Sequence, residues 1–436
     1  MTIILSPATT MIQKKTSLAT KSHQFANNWW QQWSSTGADR WLVSWLSLLI
    51  FLIPSNLFLV LYEPNAYVSG IRIDYLIPKL YLSAVVAAIF VVFTAMVYKK
   101  RWLVCWLLLL AVSVWHNWFL AELILVAAVA WSVRQLPEKL LESKQIIWGV
   151  TTMLVFQSGV AIWQFVLQKS LFGYWFLGET NLFNFAGIAT QTIIGREFIL
   201  PSGTTSHPNV LAGILVIGAI VFWQRRQNVP HWLTQIVFAL TFAALILTTS
   251  ISALLAGGFV LGFVFGKERL DQVQKKLLLS GLWSLILIVP LTISQLTAVS
   301  TNPSIVRRAV LNQVAIGQFW QQPLFGVGLN SFTSNLATNN SFRALERFIQ
   351  PAHNVPLLVL AETGLVGVFG VLGIFVWLRR QRYSLDTLII FSCLVVPLLS
   401  LDHYLYTLES GRLSMVLLLL IVLQKPKQKE LGQVKA

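Results

Sequence analysis

Apolar runs bounded by charge or by Pro, Gly and Asn clusters recur near residues 41–61, 76–97, 102–115, 118–133, 145–168, 208–223, 232–249, 251–266, 277–296, 356–378, 385–401 and 411–423. A helix crossing a bilayer needs roughly 20 apolar residues, so the pattern predicts about twelve transmembrane helices. The third and fourth runs are short, but Lys99, Lys100 and Arg101 precede the pair and Arg134, Lys139 and Lys144 follow it. Two crossings joined by a tight turn at His116-Asn117 return the chain to one side. Two intervening segments are long, 169–207 and 297–355. The second carries four arginines, several asparagines and a GVG turn. It is too polar for lipid and too long for a plain connector, and is expected to be a working loop.

Composition widens that picture. With 436 residues, 56% of them hydrophobic and 11% charged, and a mean hydropathy of +0.69, the chain reads as an all-α polytopic membrane protein without a separate soluble domain. The net charge of +16 lies in small clusters between apolar runs, which is a topology signal rather than a nucleic-acid footprint. An N-terminus in the cytoplasm puts 23 of the 32 lysines and arginines inside and 9 outside. The expected layout is a retained cytoplasmic tail over 1–40, a transmembrane domain over 41–423 with outer loops 169–207 and 297–355, and a basic cytoplasmic tail over 424–436. Cys105 and Cys393 lie within apolar runs, so neither a disulfide framework nor a thiolate metal site is available. The series Gly364, Gly367, Gly370 and Gly373 predicts a small-residue face for close helix packing.

Candidate chemistry is sparse inside the runs and richer in the outer loops. Glu122 and Glu362 are intramembrane carboxylates, by default functional markers. Glu362 either supports the outer site or is satisfied by a neighbouring helix. His207-Pro208-Asn209 stands at a helix start, where Pro208 suits the first turn and Ser206 or His207 can cap it. Arg307-Arg308 precedes the amphipathic run AVLNQVAIGQFW, a pattern that fits lipid headgroups as well as a substrate phosphate. His353 lies at an outer rim just before a helix starting at Pro356. An imidazole there titrates near neutral pH and can take a proton from a hydroxyl.

The order and spacing of GTTSHPNVLAG (203–213), Arg308 fifteen residues before Pro323 of PLFGVG, and HNVPLLVLAETGLVG (353–367) resemble the bacterial O-antigen ligase and polymerase superfamily. FGYWFLGET (172–180) and LDHYLYTLESGRL (401–413) are similar to segments in one branch of it. The resemblance spans roughly 145–423. It implies the O-antigen ligase fold and transfer of a glycan from a polyprenyl diphosphate, in particular undecaprenyl diphosphate, to a hydroxyl acceptor at the outer face of the cytoplasmic (inner) membrane. It further implies a metal-independent reaction without a cofactor, which agrees with the lack of any Asp-x-Asp pair in the sequence. By the same resemblance His353 is the catalytic base and Arg308 holds the diphosphate, with Arg307, Arg196, His207, Asn209 and Asn354 as further substrate-binding candidates. Guanidinium forks match phosphate oxygens and stay charged. Two positions depart from the family pattern. Leu200 stands where an arginine is frequent, with Arg196 four residues earlier, and Ser250 is followed by Ile251 where a serine-arginine pair is common.

The implied reaction is an inverting transfer from a lipid-linked donor to a glycolipid, glycan or protein hydroxyl, with the bilayer as the other partner. The alternative is a non-enzymatic lipid or solute transporter of the same topology. A transporter concentrates polar groups and broken helices near the midplane, whereas here they concentrate in the outer loops.

Overall fold

The computed structural model describes residues 37–62, 66–68, 70–99, 105, 109–110, 112–113, 117–182, 188–295, 303–338, 349–380 and 383–423. The expected tails over 1–36 and 424–436, most of the expected helix 102–115 with His116, and residues 339–348 of the second outer loop lie outside them. Helices dominate: α1 (Ala38–Leu52), α2 (Leu82–Val97), α3 (Trp118–Gln135), α4 (Lys144–Leu167), α5 (Pro208–Arg225), α6 (His231–Leu247), α7 (Ile251–Gly266), α8 (Gln272–Gln295), α9 (Pro303–Gln321), α10 (Val355–Arg379), α11 (Leu385–Leu401) and α12 (Met415–Val422). Among the described residues, six helical stretches are long and apolar enough to cross a membrane: 118–135, 138–167, 208–225, 251–269, 272–293 and 355–373. Three shorter apolar helices, α2, α6 and α11, accompany them.

The bundle has a clear inside. In α5, 72% of the apolar window is buried, against 11% in α8, so α5 runs through the centre and α8 lies at the edge. Around α5 pack α4, α7 and α12, while α1 lies on α4 and α2, and α11 lies on α7 and α8. Lipid is as apolar as leucine, so these contacts are stabilised by close packing and by satisfied polar groups rather than by removal of water.

The first two apolar runs are shorter as helices than their hydropathy suggests. The helix α1 stops at Leu52, just before Pro54, and α2 begins at Leu82, just after Pro78. Proline has no N–H for the helical ladder, and the residues on either side become strands instead. Strand β1 (Phe58–Val60) pairs antiparallel with β4 (Lys79–Tyr81), and between them β2 (Tyr67–Val68) pairs with β3 (Ile71–Arg72). A third hairpin, β5 (Thr190–Ile193) with β6 (Arg196–Ile199), rises from the loop before α5.

Besides the bundle core there is a second, smaller one. Val68 and Ile73 of the first loop, Leu311, Val314 and Ala315 of α9, Phe332 and Leu336, and Ala352, Leu358 and Ala361 around the start of α10 form it. The 311/314/315 spacing is one helical face. This cap holds α9 and the first hairpin loop over one end of the bundle.

The long helix α10 is broken rather than continuous. Gly364 has φ 60° and ψ −157°, a conformation only glycine adopts without strain, and the turn Pro323–Gly328 slots into the gap. Val327 N–H donates to Ala361 O and Gly328 N–H to Glu362 O, both at 2.9 Å, while Leu365 N–H donates to Pro323 O at 2.9 Å and Val366 N–H to Leu324 O at 3.1 Å. The backbone groups freed by the break are thus re-paired, as an apolar setting requires. The expected small-residue packing face is not what these glycines form. Gly364 makes the break, and a side chain added at Gly370 or Gly373 would meet open space.

Candidate active site

A cavity of about 1810 Å³ opens at the end of the bundle under the cap, lined by the first loop, the starts of α3 and α5, the start of α9 and the 401–412 segment. His207 caps α5: its Nδ1 accepts from Asn209 N–H at 3.1 Å, with Pro208 at the first helical position. Gln157 and Gln164, two turns apart on α4, clamp the preceding turn. Gln164 Oε1 accepts from the Ser202 and Gly203 N–H groups at 3.1 and 2.8 Å, and Gln157 Oε1 accepts from Thr204 N–H at 3.0 Å. The position of His207 is therefore set by buried amides on another helix.

Asn209 donates to Asp402 Oδ1 at 3.0 Å, and Ser252 Oγ donates to Asp402 Oδ2. Asp402, at the end of α11, is buried, and burial raises its pKa while the charge of Arg308 pulls it down. Next to it His403 bonds Thr407 Oγ1 through Nδ1 at 2.6 Å. Its ring meets two others edge-on, His353 at 4.8 Å and Tyr75 at 5.4 Å between centroids. Burial, followed by the charges of His207 and Arg308, lowers the His403 pKa to about 3.

His353 lies just before α10. Asn354 fixes it there: its Oδ1 accepts from Leu357 N–H at 2.9 Å as a helix cap, and its Nδ2 donates to Ser400 O at 3.0 Å. Both ends of that side chain are committed, it is fully buried, and it is not among the cavity-lining residues. The His353 Nδ1 is buried and has no hydrogen-bond partner among the described residues. Its pKa lies well below 6.5, first because of burial and then because His403, Arg308, His207 and Arg307 all oppose a further positive charge. His207 is open to the cavity, yet enclosure by the cavity walls and the charge of Arg308 also lower its pKa.

Arg307 and Arg308 are half-buried at the start of α9, one turn before the face that Leu311 plants in the cap core, and both line the cavity. Among the described residues no carboxylate lies within ion-pairing distance of Arg308. Two adjacent guanidinium groups in a partly enclosed site repel each other, and an anionic ligand would offset that. Arg196 sits elsewhere: it begins β6, is exposed, and is not among the cavity-lining residues.

Farther along the wall, Glu122 pairs with buried Arg412 and accepts from Trp118 Nε1 at 3.0 Å. Glu362 accepts from Tyr406 O–H at 2.8 Å and Phe332 N–H at 3.2 Å, so it pins α10 to the cap and to the 401–413 segment. Among the described residues no group of three His, Cys, Asp or Glu is placed to hold a metal ion. What converges is a histidine whose buried Nδ1 has no hydrogen-bond partner among the described residues, a pair of guanidinium groups, and a buried carboxylate fixed by Asn209 and Ser252.

Residues 208–372 match the O-antigen ligase family. The match, over 165 of the 436 residues, supports the resemblance to the O-antigen ligase and polymerase superfamily, and the apolar helices agree with a multi-pass membrane protein. No curated protein and no solved structure matches the chain. The O-antigen ligase segment takes in α5 to α9 and the first part of α10, hence Asn209, Arg307, Arg308, His353 and Asn354. Asp402, His403 and Arg412 lie beyond it and return to the same cavity through the fold. Reading the sequence alone singled out the O-antigen ligase-like segment 401–413 but none of its residues. The available signal was a stretch with Asp402, His403, Glu409 and Arg412 between two apolar runs.

Proposed function

We propose that this protein is an inverting, metal-independent glycosyltransferase that moves a glycan from undecaprenyl diphosphate to a hydroxyl acceptor at the outer face of the cytoplasmic membrane. The observation that carries this reading is that His353, Arg307 and Arg308 face one cavity at the end of a helical bundle. In the reaction, His353 accepts the proton of the acceptor hydroxyl as its oxygen attacks the anomeric carbon. The bond from that carbon to the phosphate oxygen breaks, and undecaprenyl diphosphate leaves with the electron pair. Arg308 and Arg307 offset the charge on the departing diphosphate, as preorganised cationic donors do. His207 and Asn209 shape the floor beside them, and Asn354 holds His353 in place. Arg196, outside the cavity lining, is given no contact in this scheme.

The bundle is read as twelve crossings with both termini in the cytoplasm, supported by the asymmetry of lysine and arginine along the sequence. Polar groups gather at one end of the bundle rather than at its middle, which favours transfer at a membrane face over carriage through it. The test is reconstitution of the purified protein in liposomes with the polyprenyl-diphosphate glycan of its source cells and a membrane extract supplying acceptors. Release of undecaprenyl diphosphate that depends on the protein supports the reading, and its absence under conditions where the glycolipid binds contradicts it. Deleting the gene then identifies the acceptor class, by whether glycan length, glycan on lipid or glycan on protein changes.

A further inference from the structure

The cavity is larger than the proposed chemistry at the histidine end requires. Small-molecule sites usually occupy about 300–1,000 Å³, and this one measures about 1810 Å³. Much of its lining comes from the first hairpin loop, residues 58–81, which has so far appeared only as structural support.

That loop is two-faced. In the β2–β3 hairpin, Val68 pairs with Ile71 and Tyr67 with Arg72, and opposed residues share a face while successive ones alternate. Val68 is buried in the cap core with Ile71 packed against it. The opposite face carries Tyr67, 56% exposed, and Arg72, which pairs with Asp74 at 3.0 Å. All three line the cavity, and Val68 and Ile71 also reach it from the other face. The β1–β4 pair continues the wall: Lys79 Nζ stands 4.5 Å over the Phe58 ring, and the Tyr81 and Tyr174 rings meet Phe58 edge-on at 5.3 and 5.6 Å. Tyr174 O–H donates to Phe58 O at 2.7 Å and accepts from Phe58 N–H at 3.0 Å, which stiffens the wall. The same loop reaches the histidines, since Tyr75 packs on His403.

We propose that this wall is a carbohydrate-binding subsite, with Tyr67 as the stacking platform for a pyranose ring and Arg72, Asp74 and Lys79 as hydrogen-bonding groups for its hydroxyls. The inference rests on the glycosyltransferase reading and adds where the sugars of the lipid-linked donor lie. An aromatic face takes up the apolar C–H side of a pyranose, and charged forks beside it take the hydroxyls around the ring edge. Tyr67 lines the cavity with its ring accessible, and its hairpin is anchored by Val68 in the cap core. Anchoring also means that little conformational freedom is lost when a sugar settles on it.

The experiment measures equilibrium binding of two lipids to the full-length protein in nanodiscs: undecaprenyl diphosphate, and the undecaprenyl-diphosphate glycan extracted from the source cells. The wild type binds the glycan-bearing lipid more tightly than the bare diphosphate. Tyr67→Ala weakens binding of the glycan-bearing lipid about tenfold and leaves the bare diphosphate unchanged, whereas Tyr67→Phe, which keeps the ring, retains most of the wild-type affinity. Equal affinity of the wild type for both lipids overturns the inference while leaving the diphosphate site standing. So does a Tyr67→Ala variant that loses both lipids equally, since the hairpin would then act as scaffold. If the wild type binds undecaprenyl diphosphate no better than undecaprenol, the diphosphate reading itself fails and this inference with it.

Discussion

His353 is buried and lies near the guanidinium groups of Arg307 and Arg308, and both act on its chemistry. His403, Arg308, His207 and Arg307 disfavour a proton on the ring, so the imidazole is neutral at pH 7 and below, in the form a general base needs. A group with a lowered pKa is a weak base. On the proposed reading the arriving diphosphate offsets Arg307 and Arg308 and restores basicity when substrate is present. The acid limb of kcat/KM, which reports the free enzyme, is expected well below the 6.5 of a free imidazole, and that of kcat closer to it. Stability follows with a definite sign. His353, His207 and His403 all have lowered pKa values when folded, so below about pH 6.5 the unfolded chain binds protons that the folded chain does not. Their contribution is fully present above that pH and is lost as the pH falls towards their folded values. Asp402, whose pKa is raised, acts in the opposite sense, from the carboxylate range upwards. Thermal unfolding in detergent between pH 8 and 5 should show the midpoint dropping on the acid side, and replacing His403 by a neutral residue of similar size should flatten that slope. In the sequence, His353, His207 and Arg308 stand out because they flank short motifs. Asp402 and His403 do not, because their partners Asn209, Ser252 and Tyr75 lie 150 residues or more away along the chain.

At the scale of elements, the tightest constraint is the turn Pro323–Gly328 in the break of α10. Gly326 has φ 67°, and a Cβ there would lie 2.3 Å from the Glu362 carbonyl carbon. Neither backbone can yield without losing the hydrogen bonds that re-pair the break. Gly326→Ala is therefore expected to cost at least about 2 kcal/mol through strain and overpacking. Unfolding in detergent measures this, and unchanged stability would show that the turn is not wedged in the helix. The apolar runs announce the helices well, because a span must be apolar along its whole length. They overstate α1 and α2, because hydropathy does not distinguish the last turn of a helix from an apolar strand. Pro54 and Pro78 were the marks of the difference. The two short hairpins of the first loop left no readable alternation, being only two or three residues per strand.

For the whole molecule, the proposed orientation makes a direct prediction. Ile194, at the tip of the β5–β6 hairpin, is 99% exposed; the proposed orientation puts it on the outer side and Gln272, at the start of α8, on the inner side. With Cys105 and Cys393 replaced, Ile194→Cys should react with a membrane-impermeant thiol reagent in intact cells, and Gln272→Cys should not; the reverse pattern inverts the topology. The cap core could not be read from the sequence, since it joins residues near 70, 311, 332 and 358 that no local pattern connects. The cavity it encloses is nonetheless where the base and the diphosphate-holding arginines are proposed to act together. The most direct test of that claim is the transfer rate of His353→Ala and Arg308→Lys in the reconstituted assay, run beside binding of the lipid-linked glycan. His353→Ala should lose on the order of 10²–10⁴ in turnover with binding retained, and Arg308→Lys, which keeps its charge but loses the fork, should lose both binding and turnover. Transfer by His353→Ala at the wild-type rate would contradict the mechanism at its centre.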